Sequence, residues 1–308
     1  MQVIIAGGSG LIGRALTAEL TNNGHTVTLL SRRPESLSGL PAGVRAVGWD
    51  GKSAAGWGPL ADGAGAIVNL AGENIAGDHF FPSRWTANRR QRIRQSRVNA
   101  GQAIVAAITA AKQKPAVLVQ SSAVGYYGPR GDEPVDENSP AGDDFLAEVC
   151  GDWEGSTHAV ESLGVRRVVA RTGVVFSTHG GAFTRLALPF KLFAGGPLGH
   201  GRQYYSWIHI NDQAAALRFL IENSTAQGIY NLTAPQPVTS KHLAQTLGRV
   251  MKRPAFVPVP GFAFRLAFGA VAATVLEGQR ALPSRLQQAG FEFQFPEIEG
   301  AVRHLLAP

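Results

Sequence analysis

The sequence predicts an α/β fold, a doubly wound parallel sheet with a smaller C-terminal region. Three observations carry this. Apolar runs of strand length alternate with helix-period segments through the first two thirds of the chain, a glycine-rich turn follows the first strand, and the alternation is lost after Thr172-Gly173. At 308 residues the chain exceeds one compact core, so a large domain with an appended smaller one is expected.

The first unit reads clearly. Residues 3–6 form a buried strand, Ile12, Ala15, Leu16 and Leu20 fall on one helical face, and Asn23-Gly24 ends that helix. Further strands are expected at 26–30, 44–47, 66–70, 116–120 and 165–170, each bounded by turn residues. A long helical crossover is expected from about 84 to 111, with Ile104, Val105 and Ile108 continuing its apolar stripe. Beyond Gly173 the segments are rich in Gly and Pro, followed by a helix at 213–221 and a strand at 229–232. Helices at 243–251, 262–276 and 298–306 complete a smaller region. The expected division is therefore a Rossmann-type nucleotide domain over 1–175, with 205–232 returning to it. A substrate-binding region would be built from 176–204 and 233–308.

Composition excludes several classes. With 44% hydrophobic and 17% charged residues the chain is neither disordered nor fibrous. Its single cysteine, Cys150, permits no intramolecular disulfide and no multi-cysteine metal site, which fits a reducing, cytoplasmic setting. No secretory leader pattern precedes the strand at 3–6. The apolar stretch 262–276 is interrupted by Arg265 and Gly269 and is too short to cross a bilayer, so no membrane association is expected.

The formal charge of +7 gathers largely in Arg84, Arg89, Arg90, Arg92, Arg94 and Arg97. These form either a solvated helix face or a set of phosphate contacts. Nucleic-acid binding would explain the charge but neither the glycine turn nor the second region, so no nucleic-acid partner is expected.

The turn Gly7-Gly8-Ser9-Gly10-Leu11-Ile12-Gly13 sits between a strand and a helix, the context that gives its glycines meaning. Gly7 permits the turn, Gly10 lets backbone approach phosphate, and Gly13 lets the helix pack on the strand. Backbone N–H groups and the positive helix end would then face a pyrophosphate. At the end of the second strand a carboxylate would select NAD, but this chain has Ser31-Arg32-Arg33, whose guanidinium and hydroxyl groups suit a 2′-phosphate. NADP is the expected cofactor. Asp50 is placed after the third strand to accept from the adenine amino group. Small residues after the strand at 66–70 let the ribose and nicotinamide lie against backbone.

Together, Gly7 to Gly13, Asn69-Leu70-Ala71-Gly72, Ser121-Ser122 and Trp207-Ile208-His209-Ile210-Asn211-Asp212 resemble the extended short-chain dehydrogenase/reductase superfamily. More narrowly, Leu70 to Ile75, Gly125-Tyr126-Tyr127-Gly128, Trp153-Glu154, Arg171 to Val175 and Leu276-Glu277-Gly278-Gln279 look like its atypical "epimerase family protein" branch of nucleoside-diphosphate-sugar epimerases. The resemblance covers nearly the whole chain. It implies NADP contacts from the glycine turn, Ser31-Arg32, Leu70-Ala71, Arg92, Arg97 and Val175, with Gly72, Glu73, Ser121 and Arg171 in the same motifs. It also implies a small-molecule substrate, with a nucleotide sugar as one candidate, in a cleft between the nucleotide domain and the C-terminal region. Monomer and homodimer both stay open.

Reductases and epimerases of that superfamily use a tyrosine with a lysine four residues later. Four residues after Tyr126, Tyr127, Tyr204, Tyr205 and Tyr230 stand Arg130, Gly131, Ile208, His209 and Ala234, so the pair is absent. Counting from Trp153-Glu154, its positions fall near Leu146 and Cys150. The catalytic candidates that remain are Ser122, Tyr126 and Tyr127, with no cation evident in the sequence to assist either tyrosine. Cys150 and His209 are expected to be structural, and Asp132, Glu133, Asp136 and Glu137 a solvated loop, so no metal site is expected. A catalytically weak NADP-binding regulator is the alternative to an enzyme.

Overall fold

The computed structural model describes residues 1–77 and 82–307. Seven parallel strands form the central sheet. In chain order they are β1 (Gln2–Ala6), β2 (Thr26–Ser31), β3 (Val44–Gly48), β4 (Ala66–Asn69), β5 (Val117–Ala123), β6 (Arg166–Thr172) and β7 (Gly228–Leu232). In space they run β3-β2-β1-β4-β5-β6-β7. The order therefore reverses between β1 and β4, which opens a crevice at the carboxyl ends of those two strands.

Helices cover both faces because both faces of these strands are apolar. On one side α1 (Leu11–Asn22) and α5 (Ile210–Glu222) bury Leu16, Leu20, Leu217 and Leu220 against Val3, Ile5 and Val119. On the other, α2 (Ala87–Ala110) buries Ile104 and Ile108 with Trp57 against Ile4, Ile67 and Leu118. Thr86 caps α2 by accepting a hydrogen bond from the Arg89 amide. The helix thus starts at residue 87 rather than 84, since its first orphan N–H groups need that hydroxyl.

A third apolar cluster lies away from the sheet. It joins α4 (Ala182–Lys191), α6 (Ser240–Met251) and α8 (Ile298–Leu306) through Phe183, Phe190, Leu243, Leu247 and Val302, with Phe176 and Trp207 from a parallel strand pair. The helix expected over 262–276 is broken instead. After α7 (Gly261–Phe268), Gly269 adopts φ 64°, a conformation open to glycine, and a 3-10 turn over Gly269–Ala272 leads into a shorter helix, Ala273–Leu276. Among the described residues no helix is long and apolar enough to cross a membrane, and no group of three His, Cys, Asp or Glu could hold a metal ion.

Candidate functional site

The glycine turn is a cradle defined by what side chains would strike. Gly7 has φ 80°, and a Cβ there would lie 2.8 Å from the Leu70 carbonyl oxygen. A Cβ on Gly13 would lie 2.5 Å from the Gly8 Cα, so these glycines weld β1, β4 and α1 together. A Cβ on Gly10 meets only the Gly7 oxygen, at 3.3 Å, and would otherwise enter the open crevice. Gly10 caps α1 without any side-chain acceptor, which leaves the amides of Leu11, Ile12 and Gly13 directed outward beside Ser9. An anion-binding helix end with room for backbone approach fits the pyrophosphate of a dinucleotide.

At the end of β2, the Ser31 hydroxyl accepts from the Arg33 amide at 3.2 Å, while the Arg32 and Arg33 side chains are exposed. Asp50 is exposed just after β3. Its carboxylate accepts from the Lys52 and Ser53 amides at 2.8 and 2.9 Å and from the Ser53 hydroxyl at 2.9 Å. Those bonds hold its pKa below the usual carboxylate value and fix the 50–53 turn.

Past β4, buried Asn69 accepts from the Ala71 amide and donates to Gln120, shaping the Leu70-Ala71-Gly72 corner. Glu73 then organises the arginine segment. Arg92 lies 3.3 Å and Arg89 3.7 Å from its carboxylate, and Arg97 donates to its carbonyl oxygen at 3.0 Å. Arg92 and Glu73, both expected at the cofactor, pair with each other, opposite charges 19 residues apart that meet as α2 returns over the loop. Arg94 pairs with Asp152, Arg90 covers the Phe145 ring at 5.0 Å, and Arg84 donates to the Leu266 and Ala267 carbonyls of α7. The arginine row is engaged within its own fold rather than presented as a basic face.

The catalytic candidates converge on α3 (Phe145–Gly155). Ser122 donates to Glu154 at 2.6 Å. Arg171 grips the same carboxylate at 2.8 and 2.9 Å and donates to the Tyr127 hydroxyl at 3.1 Å, and Tyr127 donates to Asn231 at 2.7 Å. Arg171, expected among the cofactor motifs, is buried in this network, where burial lowers its pKa but the bonds and charge of Glu154 raise it further. Tyr127 is fully buried, and burial pushes its phenol up to about 12. Ser122 and Tyr127 are thus both hydrogen-bonded within this network.

Tyr126 differs. It is half-buried, its hydroxyl meets no partner among the described residues, and the Arg171 guanidinium lies 3.4 Å from its ring centroid. The expectation that no cation stands by the tyrosines is overturned, because β5 and β6 are adjacent and place Arg171 beside residues 44 positions earlier. Ser121 is buried at the end of β5, and Val175 is half-buried in the strand pair with Ile208. On α3, buried Cys150 faces the Ala123 carbonyl, and burial pushes its thiol up to about 11.

His209 is structural. It caps α5 by accepting from the Asn211 amide and meets His304 of α8 at 3.1 Å, and burial, then His304, lowers it to about 4. The acidic loop is only partly solvated, since Glu137 is buried and accepts from the Asn231 and Arg285 amides. Glu154 was visible in sequence only as a motif letter, and Asn231 carried no signal.

Residues 3–233 match the model of the NAD dependent epimerase/dehydratase family, and residues 259–305 match a domain of unknown function, DUF1731. Epimerase family protein Mb2239 of Mycobacterium bovis is 42% identical over 301 residues, 97% of this chain and 96% of that protein. The crystal structure of human epimerase family protein SDR39U1 (isoform 2) with NADPH superposes with a TM-score of 0.86 at 36% identity, covering 99% of each chain. That of the nucleoside-diphosphate sugar epimerase from Corynebacterium glutamicum gives 0.78 at 33% identity, over 99% of this chain and 58% of that one. The chain belongs to the NAD dependent epimerase/dehydratase family.

Proposed function

We propose that this protein is an NADP-dependent oxidoreductase or epimerase acting on a small polar substrate of the nucleotide-sugar kind. The observation that carries the cofactor choice is the end of β2, where two exposed guanidinium groups and a serine stand in place of a carboxylate. The relative that holds NADPH supports it. When bound, NADP supplies hydride chemistry at the nicotinamide. The protein's part is to seat the pyrophosphate on the α1 amides, and to hold a proton at the Tyr126 hydroxyl, which is the tyrosine oxygen left outside the Arg171–Glu154 network.

The second reading, an NADP-binding regulator with weak catalysis, is favoured by one observation. Ser122 and Tyr127 are tied into the buried wall, and the α3 positions of the expected pair are Leu146 and Cys150.

Titration with NADPH and NADH tests the cofactor choice. Arg32→Ala is expected to weaken NADPH by about 1–3 kcal/mol and leave NADH unchanged. Equal losses would show that Arg32 does not read the 2′-phosphate. Oxidation of NADPH by carbonyl compounds, measured together with interconversion of sugar-nucleotide epimers in the presence of bound cofactor, separates the two readings, because an epimerase regenerates its cofactor while a regulator gives neither product.

A further inference from the structure

The five most exposed large apolar side chains among the described residues belong to one part of the C-terminal region. Phe256, Phe262 and Leu266 stand 79%, 76% and 76% exposed, and Leu192 and Phe193 67% and 60%. The backbone holds them together. The chain leaving α4 runs beside the chain entering α7, with the Val257 amide donating to Gly195 at 3.0 Å and the Val259 amide to Pro197 at 3.1 Å. Leu192 and Phe193 precede the first stretch, Phe256 lies in the second, and Phe262 and Leu266 share one face of α7.

Two features mark this surface as more than scattered apolar residues. Among its eight residues α7 has one charge, Arg265, and buries none of its side chains. Phe193 adopts φ 59°, and the one other described non-glycine residue at positive φ is its neighbour across the patch, Lys252, at 55°. That backbone is strained for a bulky residue, and an exposed ring gains no core packing in return. A contiguous apolar face of this kind marks an interaction site.

Charge identifies the occupant. Residues 177–211 and 223–276 contain no Asp or Glu, but carry three Lys and Arg in the first segment and five in the second. Arg249 pairs with Glu299 and Arg265 with Glu277, both from outside those segments. Lys191, Lys252 and Arg253 are exposed beside the patch, and no carboxylate of the described residues lies within ion-pair distance of them. The Arg253 guanidinium lies 4.2 Å from the Phe193 ring centroid, so cation and aromatic form one surface. A second copy of the chain docked about a two-fold axis would set these cations against themselves. An anionic lipid surface complements both the apolar side chains and the charge.

We propose that this face docks on an anionic membrane, with Phe193, Phe256, Phe262 and Leu266 entering the headgroup layer and Lys191, Lys252 and Arg253 meeting the lipid phosphates. The shortness of 262–276 rules out a span, but a helix lying in the interface has no such length requirement.

Flotation with vesicles of phosphatidylcholine alone and of phosphatidylcholine mixed with phosphatidylglycerol tests this on the full chain. Wild type is expected to float with the anionic vesicles and to be released as salt rises. Phe256→Ser, Phe262→Ser and Leu266→Ser combined should weaken that binding by about 10-fold or more. Lys252→Glu with Arg253→Glu should abolish the preference for anionic lipid. Melting temperature and NADPH affinity should hold in both variants, since the substituted side chains are exposed. Wild type that does not float, or flotation that the triple variant retains, overturns the proposal. A wild-type dimer in light scattering that the triple variant turns to monomer, with no flotation, assigns the face to a second copy and overturns it as well.

Discussion

The guanidinium of Arg171 lies 3.4 Å from the ring centroid of Tyr126 while gripping both carboxylate oxygens of Glu154. One buried ion pair thus fixes the wall from which the exposed edge of Tyr126 projects. Removing its anion leaves a buried cation without a partner, which generally costs about 3–5 kcal/mol. Glu154→Ala is expected to lose that much in urea unfolding, and Arg171→Met combined with Glu154→Leu to lose less. Similar losses in the single and double variants would show that the pair matters through packing rather than charge.

The two adjacent tyrosines should separate cleanly. Tyr127→Phe leaves the buried Asn231 and Arg171 groups short of a partner and is expected to cost about 1–3 kcal/mol of stability with NADPH affinity intact. Tyr126→Phe removes a hydroxyl without protein partners, so stability should stay within about 0.5 kcal/mol. Turnover, once a substrate is in hand, should be lost. Unfolding curves, NADPH titration and initial rates on the two variants give the three readouts.

Glycines of the turn are expected to divide by what surrounds them. Gly13→Ala drives a methyl to within 2.5 Å of the Gly8 backbone and should impair folding. Gly10→Ala sets its methyl 3.3 Å from the Gly7 carbonyl oxygen, a contact that the turn can relieve by giving a few tenths of an ångström, so the melting temperature should fall less than in Gly13→Ala while NADPH binding falls. Thermal melts with and without NADPH distinguish them.

Acid should loosen the attachment of α8. His209 is held neutral in the fold, at about 4 against 6.5 for the free side chain, so between those values the unfolded chain takes up the proton first. Its contribution is complete above about pH 6.5 and declines as pH falls toward 4, by on the order of 3 kcal/mol for the full shift. Asp212 and Glu137, both raised by burial, act with the opposite sign, stabilising the fold as they protonate. The readout is therefore the difference between wild type and His209→Asn in unfolding free energy across that range. It should narrow toward low pH, and a constant offset would exclude His209 from the acid response.

Much of the sheet was legible because each of its strands is a short apolar run and each junction carries a glycine, proline or capping residue. The strands at 26–30 and 44–47 extend by one residue at β2 and β3, and β5 runs three residues past its expected end. Its polar tail, Ser121-Ser122, is buried by pairing with β6 and carries no apolar signal. The break at Gly269 was equally hidden, since one glycine in an apolar helical pattern does not declare a positive φ.

Local sequence by itself determined the glycine cradle, the absence of an acidic residue at the end of β2 and the missing tyrosine–lysine pair, because each depends on a few consecutive or regularly spaced residues. Only the tertiary structure decided which charged and hydroxyl groups are engaged. Glu73 with Arg92, Ser122 with Glu154, and Arg171 with Tyr126 are partners 19 to 45 residues apart, brought together by strand order and helix return. A side chain's chemistry is written in its type, but its availability depends on what the fold places within hydrogen-bond reach, and no spacing along the chain encodes that.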